Sequence, residues 1–528
     1  MFIRVYPWFL TLRVASKTGA PKGGWGRDFG KEDFFIFSAI GSILGFPARS
    51  ARNPIDSLEK NLTEGNPIRL IVLFAIPLLL GNFFQQTYNA VDLFIVGRTL
   101  GPHALAAVGC TGSVLFFVIG FIHASAAGFA IVTAQRYGAQ DEAGIRKSFC
   151  TTLVCGAMMG GLLTLFGVLY TEEILTLLRT PPEIFQDAYR YLVVILAGLY
   201  VSVLFNVLSS TILALGNSKT PLFFLAIACT LNIFMDYLFI VHFKWGVAGA
   251  AYATVLAQLL SGLFCLVYVY RNLKFLLPRR EDWRLSLQEL WGSLRIGLPM
   301  GFQANIIALG CIIVQMRLNE LGPLAVAAFS TANKVDLLAI MPMMSFGIAM
   351  ATYVGQNYGA GKIQRIRQGV RQCSVLSLGV SVVVAGVNIS FGHHMVGLFV
   401  GSAQPEILEL ARMYLAINAS MYWVLSLLFV YRYTLQGLGR SFVPTVAGIM
   451  ELVMRVLAAV FLAVPLGFGG VALASPLAWI GAAVPLMGAY YILIHKLGKN
   501  EQLSESVQYL EAPPELPAAY PGAAAPQQ

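Results

Sequence analysis

Runs of about 20 apolar residues, long enough to cross a hydrocarbon layer about 30 Å thick, recur along most of this chain. They centre near residues 82, 118, 159, 201, 231, 258, 306, 338, 384, 422, 455 and 483. They are rich in Leu, Val, Ala and Gly without apolar–polar alternation. They therefore read as helices, whose backbone bonds close within the segment, and not as barrel strands. The pattern predicts an all-α membrane protein with twelve transmembrane helices.

The pattern also repeats. Gly101-Pro102 and Gly322-Pro323 lie 221 residues apart, as do Gln135-Arg136-Tyr137-Gly138-Ala139 and Gln356-Asn357-Tyr358-Gly359-Ala360. Leu215-Gly216-Asn217-Ser218 with Pro221 returns as Leu438-Gly439-Arg440-Ser441 with Pro444 at offset 223, and Val247-Ala248 returns as Val471-Ala472 at 224. A near-constant offset marks an internal duplication. Each half holds six runs, an even number, so the halves are parallel repeats about an axis along the membrane normal. Two pseudo-symmetric six-helix lobes are expected, 66–275 and 276–500, meeting at the basic loop from Arg271 to Arg284. A substrate site near the midplane between two rocking lobes suits such an arrangement. Residues 1–65 form an N-terminal extension expected to be poorly ordered. Residues 501–528, polar and then Pro/Ala-rich, are expected to be a disordered tail.

Composition agrees: 57% of the 528 residues are hydrophobic and only 12% charged, with mean hydropathy +0.70, too few charges to cover a water-soluble surface. The net charge of +10 does not point to nucleic acid, because the basic residues sit in short loops. Arg146, Lys147, Arg279, Arg280, Lys362 and Arg365 are among those on one side, and only a few, such as Arg98, Arg179 and Lys244, lie on the other. By the positive-inside rule both termini are expected in the cytoplasm of a multi-pass cell (inner) membrane protein. The seven cysteines are scattered and suggest neither disulfides nor a zinc site.

Polar residues inside the runs are costly in lipid and carry the functional candidates. In the first span Asn82, Gln85, Gln86, Asn89 and Asp92 share one arc of the helix at about 100° per residue. They either glue helices together or line a cavity. The fifth span carries Asn232 and Asp236, four residues apart on one face, and the fourth carries Asn206. Two carboxylates with two carboxamides suit either Na⁺, which takes hard oxygen ligands, or a proton held by an acid pair. The repeat places Phe429, Arg455 and Ala459 opposite Asn206, Asn232 and Asp236, so the acidic cluster belongs to the first half alone. The second half has Glu451 and Arg455 in an i,i+4 pair, with Arg432 one helix earlier and Gln303 in the seventh span. These residues are expected either to form a structural ion pair or to touch substrate. Lys334 and Asp336 in the eighth span read as a further structural pair. The Gly355–Lys362 stretch lacks Walker A spacing, and there is no HExxH or Ser/His/Asp set, so neither ATP-driven transport nor enzymatic catalysis is expected. His123 in the second span reads as a packed helix–helix histidine.

The run 77–97, from Pro77 through Gly81, Asn82 and Asp92 to Gly97, is followed by Leu100-Gly101-Pro102-His103-Ala104-Leu105. Together with Val354-Gly355-Gln356-Asn357-Tyr358-Gly359-Ala360-Gly361-Lys362 and Leu435-Gln436-Gly437-Leu438-Gly439-Arg440, it resembles the MATE (multidrug and toxic compound extrusion) family, bacterial type, from about Asn61 to Lys496. The resemblance implies a two-lobed, V-shaped twelve-helix antiporter exporting organic cations and other amphipathic compounds in exchange for H⁺ or Na⁺, with no other cofactor. It also implies a cation site at Asp92, Asn206, Asn232 and Asp236. Some relatives instead carry acidic residues in the seventh and tenth helices, where this chain has Gln303 and no inward acid. The expected partners are the lipid bilayer and small amphipathic or cationic substrates, with no nucleic acid, and the chain is expected to act as a monomer. The alternatives are a lipid-linked precursor flippase of related fold, which needs a basic cavity, and a non-transporting membrane sensor or scaffold.

Overall fold

The computed structural model describes residues 61–400 and 405–511, and among them the secondary structure is helical throughout. In the first half the long helices are α1 (Pro67–Leu100), α2 (Pro102–Gly138), α3 (Glu142–Leu169), α4 (Pro182–Ala197), α5 (Leu199–Ala214), α6 (Lys219–Asp236) and α7 (Val247–Asn272). The second half repeats them as α8 (Leu287–Glu320), α9 (Pro323–Gly359), α10 (Ile363–Val400), α11 (Pro405–Ser420), α12 (Tyr422–Gly437), α13 (Phe442–Leu457) and α14 (Ala474–Glu511). Among the described residues ten helices are long and apolar enough to cross a membrane, or twelve spans once the bent pairs α4–α5 and α11–α12 are each taken as one. The expected twelve-helix, two-lobe architecture is therefore present.

Those bends were not visible in hydropathy. α4 and α5 turn 45° at Gly198, and α11 and α12 turn 50° at Met421. At Gly198 a Cβ would lie 2.4 Å from the Val255 side chain, so the glycine lets α7 pack into the bend. The duplication extends to backbone detail. Gly101 (φ 87°) and Gly322 (φ 95°) sit in the left-handed region one residue before the prolines that start α2 and α9, an arrangement only glycine adopts cheaply. Both α6 and α13 run into π-helical turns, Tyr237–His242 and Ala458–Leu462.

The halves meet through the repeated Gln-x-x-Gly motifs at the C-terminal ends of α2 and α9. Gln135 Nε2 donates to the Gly437 carbonyl (2.9 Å) and Gln356 Nε2 to the Ala214 carbonyl (2.8 Å), two equivalent bonds related by the repeat. A Cβ on Gly138 would lie 1.8 Å from the Gln356 carbonyl oxygen, and one on Gly359 only 1.7 Å from that of Gln135. Further along, Gly128 packs on Gly297, Phe121 on Phe302 (5.4 Å), and Asn82 Nδ2 donates to Ser345 Oγ across the halves (3.3 Å). Beyond Asn82, residues 83–87 of α1 are exposed. The halves are thus locked together at the end where α2 and α9 finish.

Two boundaries differ from expectation. Residues 61–65, assigned to the loose extension, are tied to this lock: Leu62 is buried, its amide donates to Gln356 Oε1 (3.0 Å), and Lys362 Nζ donates to the Thr63 carbonyl (3.1 Å). At the other end α14 continues as helix to Glu511, beyond the expected start of the tail at Glu501. The expectations for residues 1–60 and 512–528 lie outside the described residues.

Candidate functional site

Three of the four expected cation-site residues converge in the first half. Asp92 lies on the buried edge of α1. Asn232 and Asp236 stack one turn apart on α6, immediately before its π-helical turn, a feature common near functional sites. All three are buried, Asp236 completely. The carboxyls of Asp92 and Asp236 face each other at hydrogen-bonding range. With its amide oriented to satisfy both neighbours, Asn232 donates to Asp236 Oδ2 (2.8 Å) and accepts from the Thr254 backbone amide of α7 (3.1 Å). Tyr88, one turn before Asp92, places its hydroxyl 3.4 Å from Thr254 Oγ1. Tyr191 of α4, also buried, lies within electrostatic reach of both carboxyls. Among the described residues no Lys, Arg or His forms an ion pair with either aspartate, and one oxygen of each, Oδ1, has no hydrogen-bond partner.

Asn206 sits one layer away on α5. Its Nδ2 donates to the Ser202 carbonyl (2.8 Å) and its Oδ1 lies 3.1 Å from His123 Nδ1 of α2. His123 therefore links two helices, although its own side chain is exposed. Ser202 donates in turn to Gln258, one helical turn beyond Thr254, so α7 joins the two layers. Tyr88, Tyr191, Thr254 and Gln258 were not singled out from the sequence. The Thr254–Gln258 spacing of four was the available signal.

The remaining candidates fall into two groups. On α1, Gln86 and Asn89 are exposed, and Asn82 makes the inter-half bond to Ser345. In the second half Glu451 and Arg455 pair as expected (3.1 Å) and Arg432 joins them at 2.5 Å, so one buried carboxylate holds two buried guanidiniums. Arg455 also donates to the Ile307 carbonyl (3.3 Å), and Gln303 Oε1 accepts from Gln436 (3.0 Å) one layer away. The buried Asp336 accepts from the hydroxyl of Tyr422, which accepts from Asn388 (2.6 Å), and Lys334 on the same helix is exposed. A tyrosine from a neighbouring helix satisfies a buried carboxylate without bringing a second charge into the core.

Two stretches, 77–238 and 299–461, match the MatE family model, one in each half. The chain belongs to the MATE family. Like the rest of that family it is a multi-pass membrane transporter and not an enzyme. Relatives of this MATE chain include the probable multidrug resistance protein YpnP of Bacillus subtilis, 30% identical over 70% of this chain and 82% of its own length. Another is the probable multidrug resistance protein NorM of Thermotoga maritima, 25% identical over 71% of this chain and 81% of its own. A solved multidrug resistance MATE transporter of the MOP superfamily, in an outward-facing conformation, superposes with TM-score 0.79 at 23% identity, covering 84% of this chain and 99% of that one. The fold is thus shared along almost the whole of that neighbour.

Proposed function

We propose that this MATE chain is a secondary antiporter that exports amphipathic or cationic drugs in exchange for H⁺ bound at Asp92 and Asp236. The observation that carries the reading is the buried acid pair, side by side in a membrane-spanning region and without a basic partner among the described residues. Two like charges at that separation in a poorly solvated site are stable only when a cation lies between them. A shared proton is the smallest such cation. Asn232 favours H⁺ over Na⁺, because it presents an N–H donor to Asp236 and its oxygen is already used by the Thr254 amide. Na⁺ is the second reading, supported by the surrounding hard oxygens of both carboxyls, Tyr88 and Thr254.

The relatives' names, probable multidrug resistance proteins, support drugs as substrates. The exposed amides of Gln86 and Asn89, close to the acid pair along α1, would line the path. Loading the pair would let the lobes rearrange and release drug, and drug binding from the other side would favour the unloaded pair. With the basic loops placed in the cytoplasm, the lock closes the cytoplasmic end and this state faces outward. The flippase reading has less support, since Arg432 and Arg455 are both held by Glu451. A sensor has no need of an unpartnered acid pair.

The test is uphill efflux of a fluorescent organic cation from inverted or reconstituted vesicles. Asp236→Asn is expected to abolish pH-driven efflux while leaving the protein folded and monodisperse. Normal coupled efflux by that variant would rule out the assignment. Replacing Na⁺ with choline at fixed pH gradient is expected to leave the wild-type rate unchanged, and a collapse of the rate would move the assignment to Na⁺.

A further inference from the structure

At the locked end, a groove of ≈ 720 Å³ opens between the first turn of α1 and the start of α10, lined by Ile68, Gln364, Arg367, Gln368, Arg371, Gln372, Val375 and Leu376. Among the described residues no carboxylate lines it, and the nearest of these acids in sequence, the exposed Glu64, lies outside the lining. Its two charged groups are both arginines, and three glutamines add amide N–H groups beside their acceptor oxygens. Arg371 is exposed. Arg367 spends one Nη2–H on the Ile494 carbonyl of α14 (3.0 Å) and keeps its other donors. Gln372 gives its oxygen to the Ile68 amide (3.2 Å), leaving its amide N–H groups. The α1 N-terminus adds the positive end of a long helix and the exposed Arg69.

The position of this groove in the bilayer follows from α10. From Cys373 to Gly392 that helix carries no charged residue, a stretch of about 20 residues that matches the hydrocarbon thickness. Arg367 and Arg371 therefore stand within one or two turns of the hydrocarbon edge, at the level of lipid phosphates, while Val375 and Leu376 begin the apolar zone. A cationic, donor-rich pocket at phosphate depth that continues into an apolar wall has the shape of an anionic lipid's headgroup and upper acyl chain.

We propose that this groove binds an anionic phospholipid. Its phosphate would sit between Arg367, Arg371 and the α1 N-terminus, with its acyl chains against Val375 and Leu376. The site joins α1 of the first half to α10 of the second beside the Gln135/Gln356 lock, so a lipid there bridges the halves at the closed end. The proposal is independent of the coupling ion.

The test uses the full chain purified in detergent and exposed to phosphatidylglycerol or to phosphatidylcholine with the same acyl chains, with retained lipid counted by native mass spectrometry. Phosphatidylglycerol is expected to be retained preferentially, and Arg371→Gln to weaken retention about fivefold, the effect of one basic side chain near an anionic headgroup. Arg284→Gln, which removes an equal charge at the same end but outside the groove, is expected to leave retention unchanged. Equal loss in both variants would mean diffuse attraction, and equal retention of the two lipids would mean no headgroup recognition. Soluble glycerol phosphate should not displace the bound lipid, and displacement by it would show that the apolar wall takes no part. Each of these three results overturns the proposal.

Discussion

Glu451 holds two arginines, and that ratio decides what its loss does. With Arg432 and Arg455 both buried and both on one carboxylate, Glu451→Gln leaves two like charges in a membrane core with no counter-charge on either. Breaking a buried ion pair from one side costs about 3–5 kcal/mol, so a large fall in the thermal midpoint of the detergent-solubilised protein is expected. The triple change Arg432→Gln, Glu451→Gln, Arg455→Gln, which removes all three charges together, should recover much of that loss. If Glu451→Gln alone melts like the wild type, the triad is not a structural lock. The same cost argument explains which residues could be read from the sequence. Asp92, Asn232, Asp236, Glu451 and Arg455 stand out because charges and carboxamides in apolar runs are expensive. Thr254 and Tyr88 did not stand out, since hydroxyls are common and cheap in membrane helices. Asn206 was legible as polar, but its engagement with His123 and Ser202 depends on how α2 and α5 cross, which no local pattern records.

At the scale of elements the repeat was more informative than hydropathy. The 221-residue offset of the Gln-x-x-Gly motifs marked matching helix ends, and the structure shows them bonded to opposite halves. What the offset could not show is that each glycine lies against the other motif's glutamine carbonyl, or that α4–α5 and α11–α12 bend. Both depend on contacts between segments far apart in sequence. The glycine contact makes a direct prediction. In Gly359→Ala the new methyl would lie 1.7 Å from the Gln135 carbonyl oxygen, so the lock cannot close as it stands and the population shifts towards the state parted at this end. Spin labels at Ala139→Cys and Ala360→Cys, in a background without the native cysteines, should report a longer and broader distance distribution in Gly359→Ala than in the parent. An unchanged distribution would show that the lock does not depend on this contact.

For the molecule as a whole the question is how much charge moves per cycle. The acid pair of the first half contains two carboxyls at hydrogen-bonding range, and in the repeat-related position of the second half Arg455 replaces Asn232 and is already neutralised by Glu451. Asp336, a further buried acid of the second half, is held by the Tyr422 hydroxyl within its own lobe, and the buried Asp282 is paired with Arg146. On the proposed proton-coupled reading, the proton-binding capacity that changes between states lies in this one pair. If that pair keeps a shared proton in the unloaded form, it gains one more on loading. One proton then enters for each monovalent cation exported, and the exchange is electroneutral. A unit of pH difference supports about a tenfold drug gradient, roughly 1.4 kcal/mol, and membrane potential contributes nothing. Exchange of two protons per cation would instead add about 2.3 kcal/mol for every 100 mV. In proteoliposomes with the potential clamped by valinomycin and K⁺, the steady-state gradient of a monovalent cationic drug is expected to follow ΔpH alone. A gradient that grows with interior-negative or interior-positive clamping would show that a second titrating group, Asp336 first among the candidates, takes part in the cycle.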